Sequence, residues 1–456
     1  PATAGSAGAG RRGGPRGRGP GRVWLRSMTR SDNRWYLLAV LTLVYAFNHV
    51  DRQVMVILQE PIKQEFGLSD TQLGLLTGFL FAAFYATLGI PFAAWADRGN
   101  RRNIIAIALT IWSGMTALSG FAQNFWHLAL ARMGVGIGEA GGTPPATSMI
   151  SDRFPAHERA FALGIYTTGI SLGILVGFML GGLIAEAYGW RVGFFVAGVP
   201  GLLLALVLML TVKEPRRGEA DDLVDDGVAP PLRETLRFFA SQKAMVFMLS
   251  GGVFVCISAN AFLAGVPLYF IRVHGVALGE LGIALGLLVG GVGGIGAVTV
   301  GKLCDRLSAK DMRWRPWIIA LTGLIALPFA LAFLLVETKA AAYALYAVPS
   351  FFGLIYASIS YAAMQELVPP RMRSMASAVM LLCLTLLGIG LGPVLVGMLS
   401  DLFADQLGAR SIARALMWLL LLNVFSVVFY MLAARHYRAD VTRAAAIGRG
   451  GAMPAM

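Results

Sequence analysis

"ARMGVGIGEAGGTPPA", residues 131–146, holds Gly136, Gly138 and Gly141 in G-x-G-x-x-G spacing, the pattern of a dinucleotide-binding loop. The same stretch carries two charges, Arg132 and Glu139, in otherwise uncharged sequence. The two features lead to different folds. A dinucleotide loop follows a strand and opens a helix at the edge of a sheet. Charges seven positions apart are close to two helical turns apart and project from one helix face.

Composition decides between them. The chain of 456 residues is 57% hydrophobic and 14% charged, against about 45–50% and about 25% for soluble proteins. Stretches of roughly 20 apolar residues, enough to cross a bilayer, recur at 35–58, 71–96, 102–122, 125–150, 158–186, 191–211, 243–271, 279–303, 314–336, 340–366, 374–401 and 411–434. Residues 131–146 fall inside the fourth. Its backbone amides belong to the helix, because lipid offers no other partner. Closely spaced small residues there let another helix approach. Gly169, Gly173, Gly177 and Gly181 continue this pattern on the fifth span.

The net charge of +13 is unevenly placed. Arg11, Arg12, Arg16, Arg18, Arg22, Arg26, Arg30 and Arg34, against Asp32 alone, crowd the first 34 residues. This Gly/Pro-rich segment is expected to be a disordered tail, or a leader ahead of Met28, and it runs into an apolar span without a signal-peptide cleavage site. The remaining basic residues gather in alternate loops, such as "DRGNRR" (97–102) and "RLSAKDMRWR" (306–315). That bias places both termini in the cytoplasm and makes nucleic acid an unneeded explanation. Cys256, Cys304 and Cys383 lie far apart in apolar stretches, with no metal-binding spacing. No G-x-x-x-x-G-K-S/T loop or Ser/His/Asp grouping is present, so neither a cofactor nor an enzyme is expected.

The polar break near 212–240 divides the spans six and six, and the halves repeat. "WADRGNRR" (95–102) matches "LCDRLSAK" (303–310), Pro155/Arg159 matches Pro369/Arg373, and Gly177/Gly182 matches Gly392/Gly397, at offsets of 208, 214 and 215. The expectation is an all-α membrane protein with twelve transmembrane helices in two pseudo-symmetric six-helix bundles. The segments are a basic tail (1–34), a first bundle (35–211), a linker (212–242), a second bundle (243–434) and a C-terminal tail (435–456). This is the plan of a secondary transporter, with substrate bound between the halves.

A charge at mid-membrane costs a few kcal/mol and should face a partner or water. Arg132 lies roughly 10 Å inside the outer end of its span and Glu139 about 10 Å deeper. Span one brings Asp51 and Arg52 in "YAFNHVDRQ", with Asp51 at a depth that allows an Asp51–Arg132 pair. Burial and a nearby Arg pull a carboxyl's proton affinity in opposite directions, so helix movement could load and release a proton there. The alternative is a permanent ion cluster pinning spans one and four. Asn48 and His49 can join either arrangement.

The loop "AAWADRGNRR" (93–102) resembles the cytoplasmic signature G-x-x-x-D-R-x-G-R-R/K of the major facilitator superfamily. Ala93 replaces the first glycine and Asn100 precedes the basic pair, while "GKLCDRLSAK" (301–310) keeps Gly301, Asp305 and Arg306. The resemblance covers about 35–434. Within the superfamily, "NHVDRQ" (48–53), "GLSDTQLGLL" (67–76), "ADRGNRR" (96–102) and "RMGVGIGEAGGTPP" (132–145) look most like the spinster group of lipid and sphingolipid transporters.

That resemblance implies a cavity lined by spans one, four, seven and ten that opens alternately to each side. It also implies proton coupling through Asp51 and Glu139, with Arg52 and Arg132 beside them. Cavity candidates are Tyr45, Asn48, Asn260, Tyr269, Tyr356, Tyr361 and Met364, with Pro267 and Pro144–Pro145 loosening spans seven and four. Asp97, near the start of a helix, complements its positive end, and Arg98 is expected to pair with Asp152. Arg101, Arg102, Asp305, Arg306 and Arg373 complete the cytoplasmic gate. The reading is a monomeric, proton-coupled transporter of an amphiphile (lysophospholipid, sphingoid lipid or hydrophobic drug) among the lipids of a bacterial inner membrane. The alternatives are a facilitator or exchanger of small polar solutes and a non-transporting sensor.

Overall fold

The computed structural model describes residues 20–217, 232–369 and 372–448, with the backbone alone described at 20–33, 90, 97, 156, 232–234, 374 and 448. The first part contains α1 (Pro20–Ile57), α2 (Gln59–Phe66), α3 (Asp70–Gly74), α4 (Leu80–Arg98), α5 (Arg101–Ser119), α6 (Phe125–Ala140), α7 (Thr143–Arg153), α8 (Ala156–Tyr188) and α9 (Trp190–Thr211). The second contains α10 (Leu232–Ser241), α11 (Lys243–His274), α12 (Leu278–Leu285), α13 (Gly293–Ser308), α14 (Trp314–Leu335), α15 (Lys339–Phe352), α16 (Ile355–Glu366), α17 (Arg373–Cys383), α18 (Leu391–Leu407) and α19 (Ser411–Gly448). π segments Leu75–Phe79, Gly286–Val292 and Leu384–Gly390 join α3 to α4, α12 to α13 and α17 to α18. No strand occurs among the described residues.

Among the described residues, eight stretches are long and apolar enough to cross a membrane, the longest being Met375–Ile447. The backbone is already helical from Pro20, inside the segment read as a tail, while residues 1–19 lie outside the described residues. Short polar signals punctuate the apolar runs. Ser69 and Gln72 exchange a capping box at the start of α3. Asn100 and Asn124 cap α5 and α6 by accepting the amides of Asn103 and His127. Gly275, at φ 62°, closes α11 in the left-handed conformation that glycine tolerates.

Two helices are broken in the middle and one expected break is absent. The fourth apolar stretch stops at Ala140, turns through Gly141–Gly142 and restarts with prolines in the first turn of α7, where a missing N–H is harmless. The tenth stretch breaks likewise between α15 and α16. By contrast, α11 runs through Pro267 without interruption.

Small residues set the packing. The glycine stripe of α8 faces α1, and a Cβ at Gly173 would strike the Ala46 carbonyl. The two parts meet through a duplicated contact. A Cβ at Gly74 would strike the Pro393 carbonyl, and one at Gly282 would meet the Phe178 carbonyl at 2.5 Å. Gly282 follows Gly74 by 208 positions and Pro393 follows Phe178 by 215, the offsets of the sequence repeat. The duplication therefore extends from the sequence to the contacts between the parts. Overpacking such a site costs about 1–3 kcal/mol, so Gly282→Leu should lower the thermal midpoint of the purified protein by several degrees. An unchanged midpoint in a melt followed by fluorescence would contradict the contact.

Candidate functional site

α1 and α6 bring two buried charges into contact. Arg52 Nε donates to Glu139 Oε2 at 2.7 Å, and its Nη2 lies 2.6 Å from the same oxygen. The Glu139 side chain is fully buried, while that of Arg52 is 21% exposed. Glu139 Oε1 is buried and makes no hydrogen bond among the described residues. The Arg52 guanidinium sits over Phe81 at 4.5 Å and Tyr85 at 5.3 Å, and Arg132 lies over Phe81 at 5.5 Å. One aromatic ring thus attracts both cations. Arg132 Nε donates to the Leu76 carbonyl at 3.2 Å. Leu76 lies in a π segment, where the amide of Leu80 reaches back to Leu75. Such a shift disturbs the regular ladder and occurs often at functional sites.

Asp51 does not form the pair with Arg132 that its depth suggested. Neighbouring helix positions point about 100° apart, so the side chain next to Arg52 cannot share its direction. Asp51 is fully buried, and neither carboxyl oxygen makes a hydrogen bond among the described residues. The charges acting on it are Glu139, Arg132 and Arg52. Asn48 is buried nearby with its side-chain carbonyl unbonded among the described residues, and Tyr45 stacks on Tyr166 at 4.5 Å with His49 against its edge. The three glycines of the opening motif are helix-packing positions. A Cβ at Gly136 would meet the Phe81 carbonyl at 2.5 Å, and one at Gly138 the Trp112 amide at 2.6 Å.

A cavity of about 380 Å³ with no charged residue in its wall lies between α8 of the first part and the helices of the second. Ser171 on α8 and Asn260, Phe262, Ser350, Tyr356 and Asn423 in the second part are among the lining residues. Cys256 behind them joins three helices: Asn260 Nδ2 and the Tyr356 hydroxyl both donate to its sulfur at 3.3 Å, and the thiol donates to the Leu384 carbonyl. Of the expected cavity residues, Asn260 and Tyr356 lie on this wall, whereas Tyr45 and Asn48 belong to the charged cluster. Tyr269 is buried in an aromatic group, with its hydroxyl donating to the Phe333 carbonyl. Met364 and Tyr361 belong to the packing of the α16 region. Tyr269 and Met364 are buried in helix contacts, and the half-buried Tyr361 does not line this wall.

At the far end, the cation against Asp152 is Arg101 and not Arg98, whose side chain is exposed. Arg101 is buried and also donates to Glu214 at 2.7 Å, Ser148 at 2.8 Å and the Pro215 carbonyl at 2.9 Å. The Arg102 amide donates to Glu214, and Arg217 to the carbonyls of Ala96 and Gly99. The segment after α9 is thereby strapped to the α4–α5 loop. Asp97 falls in the last turn of α4 and not at the start of a helix, α5 being capped by Asn100, and its side chain lies outside the described residues. Asp305, Arg306 and Arg373 are exposed, and Asp305 and Arg373 border a second cavity beside an Arg315–Glu366 ion pair of 2.6 Å. Arg315 and Glu366 each follow Arg101 and Asp152 by 214 positions. Aligning the repeats on Pro155 and Pro369 would have found this second pair.

The sequence profile of the Major Facilitator Superfamily matches residues 41–393. The chain belongs to the Major Facilitator Superfamily. An MFS-type efflux pump of Mycolicibacterium smegmatis is 36% identical over 89% of this chain and 94% of that protein. Protein spinster homolog 1 of Homo sapiens is 28% identical over 80% and 72%, and a sphingosine-1-phosphate transporter of Danio rerio 26% identical over 93% and 89%. A solved bacterial homologue of the human lysosomal transporter Spinster, inward-facing and unoccupied, superposes with a TM-score of 0.80 at 32% identity, covering 90% of this chain and 98% of that one. This superfamily member is thus a membrane transporter related to the spinster group, and its function is transport and not catalysis.

The buried pair has an energetic signature. Removing one partner of a buried ion pair costs about 3–5 kcal/mol because the other charge is stranded. Arg52→Met should therefore destabilise the protein more than the double variant Arg52→Met/Glu139→Gln. Equal losses in thermal unfolding of the two would contradict a direct pair.

Proposed function

We propose that this superfamily member is a proton-coupled secondary transporter of an amphiphile, such as a lysophospholipid, sphingoid lipid or hydrophobic drug, working by alternating access. The observation that carries the reading is the asymmetry of the interior. A buried ion cluster on α1 and α6 lies within the first part, and a cavity with an uncharged wall lies where α8 meets the helices of the second. A polar head and an apolar tail need two such environments within one molecule. The names of the relatives, an efflux pump and a sphingosine-1-phosphate transporter, support this substrate class.

The proposed architecture has twelve spans in two six-helix bundles. Eight apolar stretches support it, one of them long enough for the two helices of Met375–Ile447. α1, α5 and the broken α6–α7 supply the remainder, and α1 and α6 are the helices that carry the intramembrane charges. Both termini are placed in the cytoplasm of a bacterial cell, with the molecule acting as a single copy. Asp97, Arg98, Arg101, Arg102, Asp152, Asp305, Arg306 and Arg373 then lie on the cytoplasmic side as its gate. The bonded α2 end supports an inward-facing state.

Within this reading Asp51 and Glu139 carry the proton. Asp51 makes no hydrogen bond among the described residues, and Glu139 has one oxygen in the ion pair and the other unbonded. A proton on Glu139 would weaken its hold on Arg52 and free the guanidinium for an anionic head group. The test is flux of a labelled lysophospholipid in reconstituted vesicles, with and without an imposed pH gradient. Flux should follow the gradient, and Glu139→Gln and Asp51→Asn should abolish gradient-driven accumulation while leaving the protein folded. Accumulation at the unmutated level by both variants would remove the coupling assignment. Flux indifferent to the gradient would leave a facilitator, and flux of small polar solutes alone would favour the exchanger.

A further inference from the structure

Among the described residues, the hydrogen bonds and ion pairs between the two parts gather at the α2 end. Two of them share an arrangement. Asp401 of α18 accepts the Asp70 amide through Oδ1 at 2.9 Å, and the Thr71 amide and hydroxyl through Oδ2 at 2.8 and 2.6 Å. These amides open the helix that continues through the π segment into α4, and helix-opening amides have no partner within their own helix. A carboxylate of the second part therefore caps a helix of the first.

Glu186, near the end of α8, does the reverse. Its Oε2 accepts the Gly279 amide in the first turn of α12. A Cβ at position 279 would meet that oxygen at 2.8 Å, so glycine admits the carboxylate. Asp401 follows Glu186 by 215 positions, and Gly279 follows Thr71 by 208. These are two of the offsets of the internal repeat, so the caps are related by the duplication. A second layer supports the Asp401 cap. Asp70 accepts from Arg272 at 2.7 and 2.8 Å, from Ser400 at 2.6 Å and from Lys63, while Arg272 Nε donates to Glu60 at 2.8 Å.

We propose that Asp401 and Glu186 are a symmetric pair of latches that close the α2 end of the molecule by capping helices across the interface. The charge of each carboxylate meets the positive end of the opposite helix, adding to the hydrogen bonds. The latches sit at the C-terminal ends of α18 and α8. Asp97 and Asp305 occupy the corresponding ends of α4 and α13, the helices that run on from the capped segments. Each helix pair thus carries one carboxylate at either end of the molecule. Opening the α2 end gives up two cross-interface caps.

This inference rests on the alternating-access reading, and its test reads geometry apart from flux. Spin labels at Gln123→Cys and Thr338→Cys, exposed loop positions in the first and second parts, would report their separation by pulsed electron resonance. The background carries Cys383→Ser, the other two native thiols being buried. Losing a helix cap typically shifts an equilibrium about fivefold, and independent sites multiply. Asp401→Ala or Glu186→Ala should raise the ratio of long to short distances about fivefold, and the double variant about 25-fold. Asp401→Asn, whose amide oxygen still accepts, should shift it less. Asp405→Ala, an exposed carboxylate one turn further along α18, should leave it unchanged. Variants that retain the unmutated elution profile and the unmutated distances would overturn the latch, whatever they transport. Shifted distances in protein that moves no lysophospholipid would uphold the latch and overturn the substrate reading.

Discussion

The Arg52–Glu139 contact is the constraint around which the first part is arranged. Lipid cannot solvate either charge, so the chain must bring them together and surround them with groups that accept the arrangement. α1 has to lie against α8 and alongside α6, which the glycines of α8 allow. Phe81 and Tyr85 must stand under the guanidinium, which fixes α4. The break at Gly141–Gly142 directly after Glu139 ends α6 where its charged side chain has found a partner. Glycine spacing, aromatic placement and helix breakage in this part are all tied to one buried pair.

The second part repeats the scaffold without the charges. The broken helix recurs at Gly353, the close helix contact at Gly282 and the ion pair at Arg315–Glu366. The positions that would repeat the Arg52–Glu139 pair carry none. The uncharged cavity lies between that half and α8, with Cys256 linking Asn260, Tyr356 and the backbone of the third π segment. Duplication preserved the load between helices and left the interior chemistry free to diverge. Such divergence is what allows one molecule to offer both a polar and an apolar environment.

Much of the fold was legible because the bilayer simplifies the rules. Apolar runs of sufficient length, basic loops and a repeat offset are one-dimensional signals, and the offsets of 208 and 215 reappear in the contacts of Gly282 and Pro393. The site was legible by residue type but not by partner. Depth along a helix put Asp51 level with Arg132, yet rotation about the axis decides which side chain meets which, and Arg52 met Glu139. Aromatic and polar residues on central spans could face the cavity or the packing, and the sequence does not separate Tyr356 from Tyr269. Asp70, Arg272, Glu186 and Asp401 stand at the edges of apolar runs, where charges are ordinary. Only the folded chain brings Thr71 and Asp401 together across 330 positions.

The strap formed by Glu214, the Pro215 carbonyl and Arg217 sets where the covalent leash between the two parts begins. The chain is fastened to the α4–α5 loop as far as Arg217, and α10 starts at Leu232. That interval has a contour length of about 50 Å at about 3.3–3.6 Å per residue. That reach is an upper limit, so the fastening at Arg217 bounds how far the start of α10 can lie from the α4–α5 loop. Within that bound, the relative position of the two parts is decided by the surfaces that touch.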